Sequence, residues 1–249
     1  RLSLVGSEMC IRDSLCGVDS NMSSHPRTPE QEDNVSQFFQ IHPENPQPRL
    51  IRQAVEIIRK GGVVVFPTDS SYAMGCQIGD KGAIERVRRL RQLDKNHNFT
   101  LICCDMSQLG LFAKTDTGIF RLLKANVPGP YTFILNATRE VPRLLMHEKR
   151  RTIGLRVPDH PITLALLEEL GEPLMSVSLI MPGDDEPMTD PYEMRQVLEH
   201  HVDLIIDGGF GGLKASTVIN LADGEPEVVR VGCGDPVSYT HLTLPTILL

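Results

Sequence analysis

No stretch of this sequence is long and apolar enough to cross a membrane. Its apolar runs fall well short of the roughly 20 residues that a membrane-spanning helix needs. The pattern of a secretory signal peptide, a charged segment followed by an apolar core, is also missing. We therefore predict a soluble, cytoplasmic protein without a membrane partner.

Signatures of several common enzyme classes are missing as well. The sequence has no Walker A loop, no dinucleotide-binding glycine fingerprint, no HExxH zinc motif and no GxSxG nucleophile elbow. Its 6 cysteines form no CxxC pair and have no metal-type spacing with the 8 histidines. These absences argue against the commonest nucleotide-binding, metalloprotease and serine hydrolase classes, and the cysteines are expected to be reduced, inert thiols.

The length and composition of the chain suit one α/β domain. With 249 residues, 41% of them hydrophobic, the chain can bury one substantial core. From Pro48 onward, predicted helices and strands alternate without internal repeats, which indicates a mixed sheet in a single domain over residues 35–236. Residues 1–34 show little periodicity and are predicted to be disordered. Residues 1–14 and 237–249 resemble translated sequencing-adapter sequence, so no function is assigned to them.

The predicted elements follow hydrophobic periodicity and capping signals. A helix over 50–58 stops at two glycines, and Asp80 is positioned to cap the next helix. Strands are predicted at 63–66, 99–103, 131–135, 152–157, 174–180, 202–206, 216–221 and 227–231, with further helices at 117–125, 162–170 and 191–200.

Charge is strongly segregated along the chain. Residues 81–156 carry 15 basic and 6 acidic side chains, a net charge of +9, whereas residues 157–249 have a net charge of −13. A basic segment in an acidic protein indicates a surface or cleft for an anion such as RNA or a nucleotide phosphate. The alternative is a set of solvated helix faces that pair with the acidic part of the chain.

A hydroxyl-rich loop follows the first predicted strand of this region. The strand VVVF at 63–66 runs into PTDSSY at 67–72, where hydroxyls surround Asp69. Such a loop can bind a polar ligand. The alternative is local turn bonding between these side chains and the backbone.

Two arginines lie inside apolar strands. Arg156 follows Ile153-Gly154-Leu155, and Arg230 lies between two valines. An arginine in such a strand must reach solvent or meet an acid, and its planar fork suits a carboxylate or phosphate. Arg156 is therefore a candidate ligand-binding residue.

Other polar residues leave alternatives open. Ser178 and Ser216 lie in or beside buried strands, where serines either bind a ligand or bond the backbone. His97 lies in a loop and either binds an anion or has no function. The glycines at 208–209 and 211–212 either expose amides to phosphate or form a bend between strands.

Four blocks together resemble the YrdC family. They are PTDSSY at 67–72, PGPYT at 128–132, GLRVPDHP at 154–161 and STVINL at 216–221. Their order and spacing match that family over residues 36–236, and RQLDKNHNFTL at 91–101 most resembles its YciO branch. The resemblance implies a twisted mixed sheet with flanking helices and a large basic cavity.

The resemblance also implies a reaction. In this family, ATP, bicarbonate and L-threonine are joined into threonylcarbamoyl-adenylate, with release of pyrophosphate, for modification of a tRNA adenosine next to the anticodon. The carboxylate of carbamylated threonine attacks the α-phosphate. Catalysis comes mainly from positioning and from neutralising phosphate charge with arginine and Mg²⁺.

Individual residues can be matched to the family's threonine site. By position, Ser70 matches the hydroxyl residue that contacts threonine, and Arg156 matches the arginine that holds its carboxylate. Ser178 and Ser216 match serines that line the same site.

The nucleotide site is matched in the same way. Thr152 and Arg230 fall where the family contacts ATP. Arg91 and His97 are candidates for the remaining nucleotide contacts.

Three departures from the family pattern bear on activity. The Lys-x-Arg pair becomes RQL at 91–93, Ser-x-Asn becomes SLI at 178–180, and a histidine near threonine becomes Ile102. Loss of an arginine and an asparagine removes hydrogen bonds to the nucleotide, worth about 1.5 to 3 kcal/mol for a charged partner. We therefore expect weak ATP use, a changed substrate, or binding without turnover.

The second functional hypothesis is an RNA-binding module. Arg88, Arg89 and Arg150 belong to the basic segment and are predicted to hold double-stranded or structured RNA by phosphate contacts. A third alternative is a domain that keeps the fold without a working site.

Overall fold

The computed structural model describes residues 35–94, 97, 99–147 and 149–236. The predicted disorder of residues 1–34 and the adapter-like segments at 1–14 and 237–249 lie outside these residues. The domain boundaries therefore stay predictions.

Within the described residues the chain forms ten strands and six helices. In chain order they are β1 (Gln37–Gln40), α1 (Pro48–Arg59), β2 (Val64–Phe66), β3 (Ala73–Gln77), α2 (Lys81–Leu90), β4 (Thr100–Ile102), α3 (Met106–Phe112), α4 (Thr117–Asn126), β5 (Tyr131–Asn136), β6 (Thr152–Arg156), α5 (Pro161–Leu170), β7 (Leu174–Ser178), α6 (Pro191–Leu198), β8 (Leu204–Asp207), β9 (Thr217–Asn220) and β10 (Glu227–Arg230).

All ten strands join in one sheet, in the order β1-β8-β2-β3-β7-β4-β6-β5-β9-β10. The β1/β8, β2/β8, β4/β6 and β5/β9 pairs are parallel, and the other five pairs are antiparallel. This confirms the predicted twisted mixed sheet with flanking helices.

The helix signals in the sequence act as predicted. The Asp80 side chain accepts from the backbone N–H of Ala83 at 3.0 Å and so caps α2. Pro48 begins α1, where a missing N–H is harmless. Gly171 ends α5 with φ +78°, a conformation that favours glycine.

Three elements were not predicted. Strand β1 is short and has polar residues at both ends. In β3, Gly75 breaks the apolar pattern, yet a Cβ there would lie 2.5 Å from the Met175 carbonyl oxygen, so the neighbouring strand requires the glycine. Helix α3 contains Gly110, which lowers its helix propensity, but the Asp105 side chain caps it.

The two faces of the sheet are covered differently. Helices α2, α3, α4 and α6 pack on one face in a core that extends as far as β9. Helices α1 and α5 cover the other face, in a core whose strand residues reach no further than β4. Over β6, β5 and β9, this second face is left for a cavity.

None of the helices in the described part of the chain combines the length and apolar character that a bilayer crossing would require.

Candidate functional site

A cavity of about 450 Å³ opens on the part of the sheet face that α1 and α5 leave uncovered. Its wall combines hydroxyl groups with positive charge. The hydroxyl residues that line it include Ser71, Tyr72, Thr100, Thr132, Ser176, Ser178 and Ser216. Its acidic and basic residues are Arg91, Asp94, His97, Arg156 and Arg230. The large basic cavity implied by the resemblance is therefore present.

Strand β6 shows how the sequence builds this wall. Successive side chains of a strand point to opposite faces. Thr152, Gly154 and Arg156 lie on the cavity face, whereas Ile153 and Leu155 are buried in the opposite core. The alternation places an arginine from an apolar strand in the cavity wall rather than in the core.

Arg156 is paired with an acid, one of the two outcomes that its position predicted. Its Nη2 donates to Asp69 Oδ1 and, at 2.8 Å, to Ser70 Oγ. The backbone N–H of Asp159 donates to the other carboxylate oxygen, Asp69 Oδ2, at 3.1 Å. The Arg156 and Asp69 side chains are only 7% and 10% exposed, so water screens the pair weakly. Charge and hydrogen bonds thus hold the guanidinium in one orientation.

The Arg156 guanidinium retains donors for a ligand. The hydrogen bonds that it makes to described residues all use Nη2, and Nε is buried without a partner among those residues. A guanidinium has five N–H donors, and a carboxylate or phosphate can accept two of them. Because Arg156 lines the cavity, an anion there can be bound through the remaining donors.

Ser70 lies behind Arg156 and is not among the residues that line the cavity. Its Oγ lies 3.2 Å from Thr68 Oγ1, and Thr68 in turn donates to the Ser71 carbonyl at 2.5 Å. The loop hydroxyls therefore bond their own backbone and also support the arginine. Contact between Ser70 and a ligand stays a prediction.

On the other side of the cavity, Ser216 connects two groups of the wall. Its Oγ lies 2.7 Å from Thr132 Oγ1. Its carbonyl oxygen accepts from Arg230 Nη2 at 2.9 Å and from Nε at 3.2 Å. Burial lowers the pKa of Arg230, and nearby Arg156 lowers it further. Two arginines close enough to repel each other favour an anion between them.

Arg91 and His97 line the same cavity. Burial lowers the pKa of Arg91. A guanidinium nevertheless stays charged at neutral pH, so Arg91 contributes a positive charge to the cavity. Desolvation by its surroundings lowers the pKa of His97, and the nearby Arg91 lowers it further, although the side chain remains exposed. His97 is therefore accessible to a ligand at the cavity wall.

Thr152 lines a second cavity of about 430 Å³, together with Arg150. The first cavity does not include Thr152, but the two cavities share Ile134 and Val229 in their walls. A ligand longer than either cavity can therefore extend from Arg230 towards Thr152 along one sheet face.

The three arginines predicted to bind RNA have different surroundings. Arg88 Nη1 lies 2.5 Å from Glu85 Oε1, and its guanidinium lies 5.4 Å from the centre of the Phe99 ring. Arg89 is exposed on α2, and Arg150 lies at the second cavity. Arg89 and Arg150 are thus better placed for an external polyanion than Arg88.

The glycine-rich loop after β8 packs against the site. A Cβ at Gly212 would lie 1.9 Å from the Ser70 carbonyl oxygen, and one at Gly211 would lie 2.6 Å from the Tyr72 ring. Tyr72 also donates its hydroxyl to the Gly209 carbonyl at 2.7 Å. Gly211 and Gly212 are therefore explained by close packing onto residues 70–72. This supports a bend between strands rather than a loop that exposes amides to phosphate.

The sequence-based site prediction missed the roles of Asp69 and Gly212. In the sequence, Asp69 is one of several polar residues of its loop, and nothing near it in the chain indicates that it pairs with Arg156. The run of glycines around Gly212 indicates close packing but not that the Ser70 backbone is the group it approaches.

Comparison with known proteins places these features in a family. The Sua5/yciO/yrdC family model, described as "Telomere recombination", matches residues 56–232. YciO of Escherichia coli K12 is 60% identical over 201 residues, which cover 81% of this chain and 98% of that protein. The threonylcarbamoyl-AMP synthase of Halorhodospira halophila is 30% identical over 178 residues, covering 71% of this chain and 92% of the enzyme.

Solved structures show the same similarity. The crystal structure of E. coli YciO matches with a TM-score of 0.81 and 58% identity, over 82% of this chain and all of that chain. P. abyssi Sua5 in complex with L-threonine matches with a TM-score of 0.76 and 26% identity, over 84% of this chain and 61% of Sua5. With its sheet, its basic cavity and the matched residues 56–232, the chain belongs to the Sua5/YciO/YrdC family.

Proposed function

We propose that this protein is a nucleotidyltransferase similar to threonylcarbamoyl-AMP synthase, with low activity towards threonine. The observation that carries the proposal is the buried Arg156, held by Asp69 with donors left for an anion in the cavity. Relatives with this named activity are 30% identical or more over about two thirds of the chain.

The amino acid lies against Arg156 in this proposal. Its α-carboxylate accepts from the guanidinium, while Ser178 and Ser216 line the surrounding wall. Ser70 acts from behind by fixing the Arg156 side chain. That L-threonine binds to P. abyssi Sua5, a structural relative, supports an amino acid at this position.

ATP extends across both cavities. Arg230, Arg91 and His97 are placed to meet the phosphates in the first cavity, and Thr152 meets the remainder of the nucleotide in the second. The part of the chain that the structure describes has no cluster of three or more His, Cys, Asp or Glu side chains for a metal. Mg²⁺ usually binds through substrate phosphates with one or two carboxylates, so it would arrive with ATP and lie near Asp94.

The proposed reaction is an exchange at the α-phosphorus of ATP. Bicarbonate and the amino group condense to a carbamate with loss of water. A carbamate oxygen then forms a bond to the α-phosphorus, and the bond to the bridging oxygen breaks, so pyrophosphate leaves with the electron pair. The described residues contribute positioning and positive charge. The product serves tRNA adenosine modification in this proposal.

Two side chains in the wall are the reason that we expect slow turnover of threonine. Ile180 and Ile102 line the cavity at positions where the family pattern has an asparagine and a histidine. Leu93, at the position of the family's arginine, packs against the hydrophobic core. The site therefore lacks three polar groups that would bind the substrates.

The first test is an assay of the full-length protein with ATP, Mg²⁺, bicarbonate and L-threonine. We expect slow pyrophosphate release that requires both threonine and bicarbonate, with the adenylate detected by mass spectrometry. Release that continues without any amino acid would instead indicate simple ATP hydrolysis and would contradict the proposal.

RNA binding is a second candidate function, favoured by the charge of +9 over residues 81–156 and by the exposure of Arg89. We expect affinity for double-stranded RNA to fall steeply with salt, because each neutralised phosphate adds about −0.9 to the slope of log K against log salt on B-form DNA. Arg89→Ala and Arg150→Ala should each reduce that slope by about 1.

The controls for RNA binding are Arg52→Ala, an exposed arginine outside the basic segment, and Arg156→Ala. Both should leave the salt dependence unchanged in a filter-binding titration. Loss of RNA binding in the buried Arg156→Ala variant alone would show that RNA enters the cavity and not the basic surface.

A further inference from the structure

Two carboxylates, those of Asp223 and Glu227, lie in the wall of the second cavity. The Asn220 side chain in the same wall donates from Nδ2 to Asp223 Oδ2 at 2.9 Å and to Glu227 Oε2 at 3.5 Å. Neither carboxylate forms an ion pair with a residue in the described part of the chain. Asn220 thus holds both carboxylates at the cavity wall, where they can accept hydrogen bonds from a ligand.

A buried hydroxyl in the same wall also lacks a partner. Thr152 lines the second cavity and is only 4% exposed. Its carbonyl oxygen accepts from the backbone N–H of His147, but its hydroxyl makes no hydrogen bond to a described residue. Buried polar groups in proteins are normally hydrogen-bonded. An unpaired hydroxyl that faces a cavity therefore indicates that a ligand binds there.

The charges of the two cavities set the direction in which a nucleotide lies. Three arginines and one carboxylate, that of Asp94, line the first cavity. One arginine, Arg150, and two carboxylates line the second. Phosphates are negatively charged and therefore favour the first cavity. The part of the ligand in the second cavity must instead donate hydrogen bonds to carboxylates.

A bulge in β10 brings one of these carboxylates close to Arg230. Glu227 pairs with Asn220 on β9, but the register shifts between Val228 and Arg230, so that Arg230 pairs with Val218. Asn220 and Val218 are two residues apart on one strand, which places them on the same face and about 7 Å apart. The bulge therefore turns both Glu227 and Arg230 towards the cavities at that short separation.

This separation selects the ribose rather than the base. Arg230 is close enough to Arg156 for their charges to interact, so a phosphate at Arg230 lies beside the amino acid, as the α-phosphate must. The α-phosphate is attached to the ribose, and the base lies further away. The donors that reach Glu227 from a nucleotide in this position are therefore the ribose hydroxyls.

We infer that Glu227 and Asp223 bind the ribose hydroxyls of ATP, and that the second cavity thereby selects a ribonucleoside triphosphate over its deoxy analogues. The inference rests on the proposed function, because it takes Arg230 as the group that meets the α-phosphate. No bond of the ribose changes in the reaction. The two carboxylates therefore contribute to nucleotide binding and not to the chemical step.

The test compares four nucleotides on the full-length protein: ATP, 2′-deoxyATP, 3′-deoxyATP and purine riboside triphosphate, which lacks the amino group of adenine. Dissociation constants are measured by calorimetry with Mg²⁺ but without amino acid or bicarbonate, so that no turnover occurs. Loss of a hydrogen bond to a charged group weakens binding by about 10- to 100-fold, and we expect about 10-fold because both carboxylates are exposed. At least one deoxy analogue should show this loss, whereas purine riboside triphosphate should bind like ATP.

Three variants locate the source of the preference. Glu227→Ala and Asp223→Ala should each bring ATP and the affected deoxy analogue closer together, and the double variant should bring them to within a few-fold. The ratio of two dissociation constants within one variant cancels changes in stability and overall charge. Glu225→Ala is the matched control, because Glu225 is an exposed acid in the same connection that does not line the cavity. It should leave the ratio unchanged.

The outcomes separate the inference from the proposed function. Equal binding of ATP and both deoxy analogues, with threonine-dependent pyrophosphate release from ATP, overturns the inference and leaves the proposed function standing. Failure of every nucleotide to bind overturns both. Weaker binding of purine riboside triphosphate alone would show that the base, and not the ribose, meets the carboxylates. A preference that the double variant leaves intact overturns the assignment to Glu227 and Asp223.

Discussion

Arg156→Ala is expected to lower amino-acid-dependent pyrophosphate release by about 100-fold or more. The variant removes the charged group that holds the substrate carboxylate, an interaction worth about 3 kcal/mol, and each 1.4 kcal/mol is a factor of ten in rate. Arg156→Lys should recover only part of this loss, because an ammonium group keeps the charge but lacks the planar fork. The measurement is kcat/KM for the amino acid at saturating ATP.

The same substitution should also reduce stability. Removing Arg156 leaves the Asp69 carboxylate buried without its charge partner, and breaking a buried pair from one side typically costs about 3 to 5 kcal/mol. Asp69→Asn leaves the buried Arg156 guanidinium without its charge partner and should destabilise the protein as well. The pyrophosphate release of this variant shows how far the function of Arg156 depends on its contact with Asp69. Unfolding in urea measures both free energies.

Arg89→Ala provides the control for these variants, because Arg89 is exposed on α2. It should change neither stability nor turnover measurably, as expected for a solvated charge. If Arg156→Ala retained full turnover while remaining folded, the substrate carboxylate would have to be bound elsewhere in the cavity.

Much of the fold could be predicted from local pattern. The alternation in β6 and β9, the capping signal of Asp80 at the start of α2 and the stop signal of Gly171 at the end of α5 depend on neighbours in sequence. Strands β6 and β9 and helix α5 lie within two residues of their predicted bounds. Strand β3 was missed because Gly75 is required by Met175, a residue on another strand. A pattern along the chain contains no information about such a close approach.

The candidate site shows the same division. Arg156 could be singled out because an arginine is unusual inside an apolar strand. The identity of its acid, Asp69, depends on how the loop after β2 approaches the end of β6, 87 positions further along the chain. The role of Ser70 behind the arginine, rather than in the wall, also requires the three-dimensional arrangement.

Gly212→Ala is expected to impair the site without touching any group that meets a ligand. The added Cβ would lie 1.9 Å from the carbonyl oxygen of Ser70 and 3.1 Å from its carbonyl carbon, and both are backbone atoms that no rotamer change can move. The loop must therefore shift, and Ser70 would carry the Arg156 guanidinium with it. A misplacement of about 1 Å costs on the order of 100-fold in rate, and overpacking costs about 1 to 3 kcal/mol in stability.

Gly110→Ala is the matched control for Gly212→Ala. An added Cβ at Gly110 meets no atom within 4 Å, and the residue lies in the exposed part of α3. Alanine is favoured over glycine in a helix by about 1 kcal/mol, so this variant should be slightly more stable and equally active. Equal turnover of Gly212→Ala and Gly110→Ala would mean that a forced shift of Ser70 leaves the substrate site unaffected. The glycine-rich loop would then have no influence on the position of Arg156.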